Sequence, residues 1–332
     1  MSAWILAAVA IVGFLVAAVS GFFVIPFLRK IHFGVTILEI GPRWHKSKEG
    51  TPIMGGFLFI GGTLIALAAG YALMVGTGVL VSSFEGTRVV AGLISALGFG
   101  FIGFMDDYIK AVKKRNLGLT AKQKLAMQFL VAASYFTTLY ISGDASTVVR
   151  FPFLGQLDLG VLYYPVAAVL MVFMVNAVNL TDGIDGLCGS VTMVYSTAFM
   201  IIAALLNFHA LSIWGAALAG ACLGYLVWNI HPAKVFMGDV GSMFLGGAIV
   251  ALGFGTGLPV LLLMVGFVYF FEAFSVVLQV ISFKTTGKRI FKMSPIHHHF
   301  EMSGWSENKI VVAFSGVTLL LGTLGIGCVF GL

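Results

Sequence analysis

Residues 243–283 read MFLGGAIVALGFGTGLPVLLLMVGFVYFFEAFSVVLQVISF, 41 positions with one charged residue, Glu272. One bilayer crossing takes about 20 apolar residues, so this run is too long for a single helix. The Gly- and Pro-bearing turn at 253–259 divides it into two. Comparable apolar runs recur at 3–28, 53–81, 88–105, 125–142, 160–180, 187–207, 211–230 and 310–331, which with 243–257 and 259–283 makes ten predicted spans. Transmembrane β-strands would be about 10 residues long and alternate in polarity, so the expected fold is all-α, an integral membrane helical bundle forming one polytopic domain over residues 1–332.

Composition agrees. Hydrophobic side chains make up 59% of the chain and charged ones 10%, against about 25% charged in soluble domains. A soluble globular protein is excluded, and no nucleic-acid partner is expected. Cys188, Cys222 and Cys328 are odd in number and far apart, which points to packing and away from disulfides or zinc. The chain opens on an apolar run from Ala3 without a basic leader, the pattern of a retained first span. The final run, rich in Gly and Leu, is a candidate homodimer contact.

Charge sets the orientation. Seventeen of 19 Lys and Arg follow the first, third, seventh and ninth runs, and Arg88 and Arg150 are left on the other side. By the positive-inside rule those loops are cytoplasmic and both termini extracytoplasmic. Acids do not obey that rule, yet nine of 13 lie on the same face: Glu39, Glu49, Asp106, Asp107, Asp182, Asp185, Asp239, Glu301 and Glu307. Any chemistry is expected at the cytoplasmic face.

Four strings carry that chemistry. Asp106 and Asp107 are adjacent carboxylates that repel one another, for which a divalent cation is a natural neutraliser. The stretch from Asn176 to Leu187 sets Asn176, Asn179 and Asp182 on one helical face and then breaks at two Asp-Gly steps, Asp182-Gly183 and Asp185-Gly186. Asp239 sits between Gly238 and Gly241 in an apolar setting, ten residues after Asn229; irregular backbone at membrane depth is tolerated where it lines a cavity. His297, His298 and His299 are consecutive, so their rings diverge on a helix and offer hydrogen bonds in more than one direction. Glu272, inside a span, is a candidate functional acid or one half of a polar pair between helices.

In this order, Asp106-Asp107-Tyr108-Ile109-Lys110, the string from Asn176 to Leu187, FMGDVGS at 236–242 and the triple histidine resemble the polyprenyl-phosphate N-acetylhexosamine-1-phosphate transferases. The strings GTPIMGG at 50–56 and PIHHHFE at 295–301 resemble the branch that moves a phospho-N-acetylmuramoyl-pentapeptide. The resemblance runs from about Trp44 to Glu301. It implies a multi-pass enzyme of the bacterial plasma membrane that transfers the phospho-sugar from UDP-N-acetylmuramoyl-pentapeptide to undecaprenyl phosphate, a membrane lipid, giving lipid I and UMP in peptidoglycan synthesis with Mg2+ as cofactor.

Residue by residue, the resemblance makes Asp239, Asp106 and Asp107 catalytic carboxylates and metal ligands, with Asp106 as the base toward the lipid phosphate. His297 joins them as an essential residue without being the base. Lys110 and Lys122 are expected on the diphosphate and Lys48 on the uridine side. Asn176, Asn179, Asp182, Gly183, Asp185 and Asn229 are expected to contact nucleotide, sugar and metal shell, and His298 and His299 phosphate or sugar. Ile53 stands where the family often has Thr. A relative using UDP-N-acetylglucosamine and, in another class, a secondary transporter with Glu272 on its ion path are the competing readings.

Overall fold

The computed structural model describes residues 2–30, 48, 50–113 and 118–331. Glu39, Arg43, Trp44, Lys46, Glu49, Lys114 and Arg115 lie outside the described residues. The chain is helical almost throughout: α1 (Ala3–Lys30), α2 (Gly56–Gly76), α3 (Ser83–Lys113), α4 (Ala121–Ile141), α5 (Tyr163–Thr181), α6 (Leu187–Leu205), α7 (His209–Asn229), α8 (Gly238–Gly255), α9 (Pro259–Val265), α10 (Phe267–Thr286), α11 (Ile296–Glu301) and α12 (Glu307–Cys328). Among the described residues, nine helices are long and apolar enough to cross a membrane. The fourth predicted run, α4, is 21 residues long but opens on Lys122, Gln123 and Lys124 and is not one of the nine.

The helical architecture is as expected, with one small addition among the described residues: β1 (Val148–Phe151) and β2 (Gly155–Asp158) form an antiparallel hairpin between α4 and α5, with Val148 opposite Asp158 and Phe151 opposite Gly155. Val148, Val149 and Phe151 are β-formers, and Gly155 takes the positive φ of 99° that the turn needs. The predicted span at 259–283 is corrected: it is not one helix. The turn after α8 falls where the sequence put it, with Pro259 opening α9, but Gly266 leaves helical geometry (φ −82°, ψ 14°) and α10 starts afresh at Phe267.

Lipid tails are as apolar as leucine, so helices in a bilayer associate by close packing and internal hydrogen bonds. α7 and α8 form the centre, with 89% of their span windows buried, whereas α12 and α1 have 22% and 28%. α8 packs against α3 so closely that a Cβ at Gly103 would stand 2.1 Å from the Asp239 carbonyl oxygen. Only glycine fits there, and the contact fixes the end of α3 that carries Asp106 and Asp107 against the start of α8.

The far end of the bundle is stitched by charge. Arg88 donates through Nε to Asp144 at 2.7 Å and through Nη2 at 3.1 Å, and through Nη1 to the Gly255 carbonyl at 2.7 Å. Its guanidinium lies over the rings of Phe84 and Phe208 at 4.2 and 5.4 Å. Glu85 accepts from the backbone N–H groups of Ala210 and Leu211, satisfying two of the donors that a helix start leaves unpaired. Arg88, one of the two basic groups outside the main loops, is therefore held by packing and pairing.

Candidate active site

The opposite end of the bundle gathers the acids. Two loop strings clasp there through their backbones: Gly55 N–H donates to the Phe236 carbonyl at 2.8 Å, Gly56 N–H to Met237 at 3.1 Å, and Phe236 N–H to Pro52 at 2.8 Å. The strings at 50–56 and 235–238 thus form one wall. Ile53, the departure from the family pattern, packs against the apolar core.

Asp239 sits in the first turn of α8, where the helix dipole favours negative charge. Its Oδ2 receives Lys110 Nζ at 3.2 Å and Lys124 Nζ at 3.0 Å, and its Oδ1 receives Asn179 Nδ2 at 2.8 Å. Asn179 also donates to Ser242 at 2.7 Å. Lys110 reaches back one helical turn to Asp106 at 2.5 Å. Asp106 accepts the Leu119 N–H at 2.7 Å, which draws the start of α4 onto the site. Asp107 Oδ2 accepts the Val240 N–H at 3.0 Å and so caps α8 from across the interface.

The capping box of Thr120 and Gln123 sets the rotation of α4. Residues two apart on a helix are turned by about 200°, so Lys124 points at Asp239 while Lys122 is exposed on the other face. The sequence named Lys122; the structure brings Lys124. Gln128, one turn further along α4, exchanges hydrogen bonds with Asn176 at 2.8 and 3.3 Å. The Asn176 amide thereby clamps α4 to α5. Asn229 is likewise committed to backbone, accepting from Gly186 N–H at 3.0 Å and donating to the Val235 carbonyl at 2.9 Å.

A second cluster surrounds Asp185. Its Oδ1 receives Lys48 Nζ at 2.7 Å, and its Oδ2 lies 3.0 Å from both His231 Nδ1 and Ala233 N. Glu307 Oε2 accepts from Lys48 Nζ and from the Asp185 N–H, both at 2.8 Å. Burial opposes the Lys48 ammonium, but Asp185 and Glu307 outweigh it and hold its pKa above the usual lysine value. Between the clusters, burial first and then the charges of Asp239, Asp107 and Asp185 push the Asp182 carboxyl well above its usual range.

The three histidines diverge as their spacing requires. His297 is fully buried, with Nδ1 2.9 Å from Glu272 Oε2 in α10. His298 Nδ1 is 2.6 Å from Glu301 Oε2, and His299 Nδ1 accepts the Lys292 N–H at 3.1 Å. Sequence reasoning did not place Lys124, Gln128, His231, Ser242 or Glu307 in the site. Lys124 shares a helix face with Gln128 and not with Lys122, but which face turns inward is set by the docking of α4.

Asp106 and Asp239 converge on one ammonium, Lys110, so their oxygens face a common point. Hard carboxylate oxygens so placed suit Mg2+, with Asn179 fixing the Asp239 carboxylate. Asp107 spends one oxygen on Val240. Among the described residues, Asp185, His231 and Glu307 have ligand atoms within 4.8 Å of one another, with the Lys48 ammonium on both carboxylates.

A sequence profile of glycosyl transferase family 4 matches residues 89–257, a range that includes Asp106, Asn179, Asp185 and Asp239. The chain is 46% identical to a phospho-N-acetylmuramoyl-pentapeptide-transferase of Bacillus subtilis (strain 168), over 95% of both chains. It is 46% identical to that of Bacillus pumilus, also over 95% of both. For the corresponding protein of Pelotomaculum thermopropionicum the figures are 45% and 96%.

Proposed function

Since the chain belongs to the phospho-N-acetylmuramoyl-pentapeptide transferases of glycosyl transferase family 4, multi-pass bacterial membrane enzymes that take a nucleotide-sugar and a lipid carrier, we propose that it performs the transfer at the Asp239 cluster. The donor in this reading is UDP-N-acetylmuramoyl-pentapeptide and the acceptor undecaprenyl phosphate. The observation that supports it is the meeting of Asp239, Asp106, Lys110, Lys124 and Asn179 at one end of an apolar bundle. That end faces the cytoplasm, with ten spans and both termini on the opposite side, as the 17 basic groups of one set of loops favour.

The acceptor's phosphate oxygen attacks the β-phosphorus of the donor. A new P–O bond forms as the bond to the bridging oxygen breaks, and UMP leaves with that electron pair. Asp106 takes any proton that remains on the acceptor phosphate. Lys110 and Lys124, both on Asp239, face the charge that builds on the diphosphate; such aimed cations act strongly in a partly dry site. Asp239 and Asp106 would hold Mg2+, which would supply Lewis-acid neutralisation of the phosphate charge when bound. The Asp185 and Lys48 cluster orients the nucleotide. A phosphate oxygen is already a competent nucleophile, so direct displacement needs no covalent enzyme intermediate.

The test is UMP release by purified protein in detergent with undecaprenyl phosphate and Mg2+, offering either UDP-N-acetylmuramoyl-pentapeptide or UDP-N-acetylglucosamine. Release with the pentapeptide donor alone, abolished by EDTA, is expected. Release with the other sugar would change the donor, and release undiminished by EDTA would remove the metal. In the same assay Lys124→Ala is expected to lower turnover by about 10²-fold and Lys122→Ala by far less. Equal losses would return Lys122 to the site.

A further inference from the structure

Glu272 lies in the second turn of α10, with 0% of its surface exposed. An acid buried in a membrane span is costly and is found paired or lining a pathway. Glu272 makes one side-chain hydrogen bond, from Oε2 to His297 Nδ1 at 2.9 Å. Its other oxygen, Oε1, and the other ring nitrogen, His297 Nε2, are both buried without a hydrogen-bond partner. The hydrogen bond at Nδ1 fixes the plane of the ring and the direction in which Nε2 points.

That nitrogen faces Gly183. A Cβ built on Gly183 would stand 2.2 Å from Nε2 and 2.7 Å from Cε1, so the ring lies directly under the backbone of the turn between α5 and α6. The turn carries Asp182 on one side of Gly183 and Asp185 on the other, and Asp185 holds Lys48. His297 thus meets the site at Gly183.

We infer that Glu272 is a positioning residue: by accepting from His297 Nδ1 it locks the imidazole edge-on beneath Gly183, and so sets the height of the Asp182 to Asp185 turn on which the nucleotide-sugar rests. This deepens the proposed function and rests on it. Asp182 and Asp185 are both placed from below by the buttress, so loosening it acts first on donor binding. Glutamine at 272 keeps a carbonyl oxygen that accepts from Nδ1 without the charge; alanine removes the acceptor.

The experiment compares wild type, Glu272→Gln and Glu272→Ala in the UMP-release assay, with KM for the pentapeptide donor separated from kcat. Alanine is expected to raise KM about tenfold, as the loss of one orienting hydrogen bond implies, and glutamine to recover most of it. Wild-type KM in Glu272→Ala would overturn the inference. So would a glutamine variant as impaired as the alanine one, because charge and not orientation would then be the requirement. A second arm reads melting temperature for Gly183→Ala alone and with His297→Ala. The added methyl should destabilise the wild-type background strongly and the His297→Ala background little; equal shifts would mean that ring and turn do not touch. If wild type released no UMP, the functional reading would fall, while this second arm would still decide the contact.

Discussion

Asp239→Asn will lower UMP release by at least about 10³-fold, equivalent to roughly 4 kcal/mol of transition-state stabilisation, in a protein that still elutes and melts as wild type. The effect is large because this carboxylate serves three partners. Asparagine keeps an acceptor for Asn179 but loses the charge that holds Lys110 and Lys124 within 3.2 Å. If Asp106 and Asp239 hold Mg2+ as proposed, raising Mg2+ should recover only the part of the loss that comes from weaker metal binding, since the released Lys110 and Lys124 are not restored by metal. Turnover within tenfold of wild type would remove Asp239 from the reaction.

Gly103→Ala should also act strongly, from a glycine whose place is in the packing of α3 on α8. Its methyl would meet the Asp239 carbonyl oxygen at 2.1 Å and carbon at 2.3 Å, and backbone cannot rotate aside as a side chain does. α3 and α8 must separate, at a cost of about 1–3 kcal/mol for overpacking. The separation also moves Asp106 and Asp107 relative to Asp239, and a displacement near 1 Å costs about 10²-fold in rate. UMP release and melting temperature check this against Gly61→Ala on α2, where an added Cβ meets nothing within 4 Å. Equal behaviour of the two variants would show that the close approach is not needed.

The membrane helices were legible because apolar length is a property of each segment alone. The division near Pro259 was readable for the same reason, since glycine and proline act locally. The break at Gly266 was not: glycine is common in spans, and nothing in the sequence separates one that interrupts a helix from one that serves close packing. The hairpin at 148–158 was overlooked because two strands of four residues add little to a pattern dominated by runs of twenty.

In the site, residues within one string were readable and pairings between strings were not. Asp106, Asp107, Asn179 and Asp239 stand out by their polarity in apolar sequence, and the structure brings them together. Lys124 was passed over for Lys122 because the capping box that orients α4 shows which face turns inward only once α4 is docked on Asp106. Glu307 and Asp185 are 122 residues apart, and Glu272 and His297 belong to different helices, so chain position alone could not pair them. The pairing also weakens the transporter reading, since Glu272 is engaged by a ring that supports the site.

The stitched far end has an energetic consequence. Arg88, Asp144 and Glu85 close one end of the bundle with groups already satisfied, and the residues proposed to handle phosphate lie at the other. Moving one elementary charge through 100 mV of membrane voltage is worth about 2.3 kcal/mol, but in the proposed reading the phosphoryl group crosses almost none of that drop. Turnover in sealed vesicles should therefore be the same with and without an imposed voltage. The work of loading a sugar onto the lipid then comes from the exchange of one diphosphate for another, and the electrical energy stored across the bilayer is left for whatever later carries the product to the far leaflet.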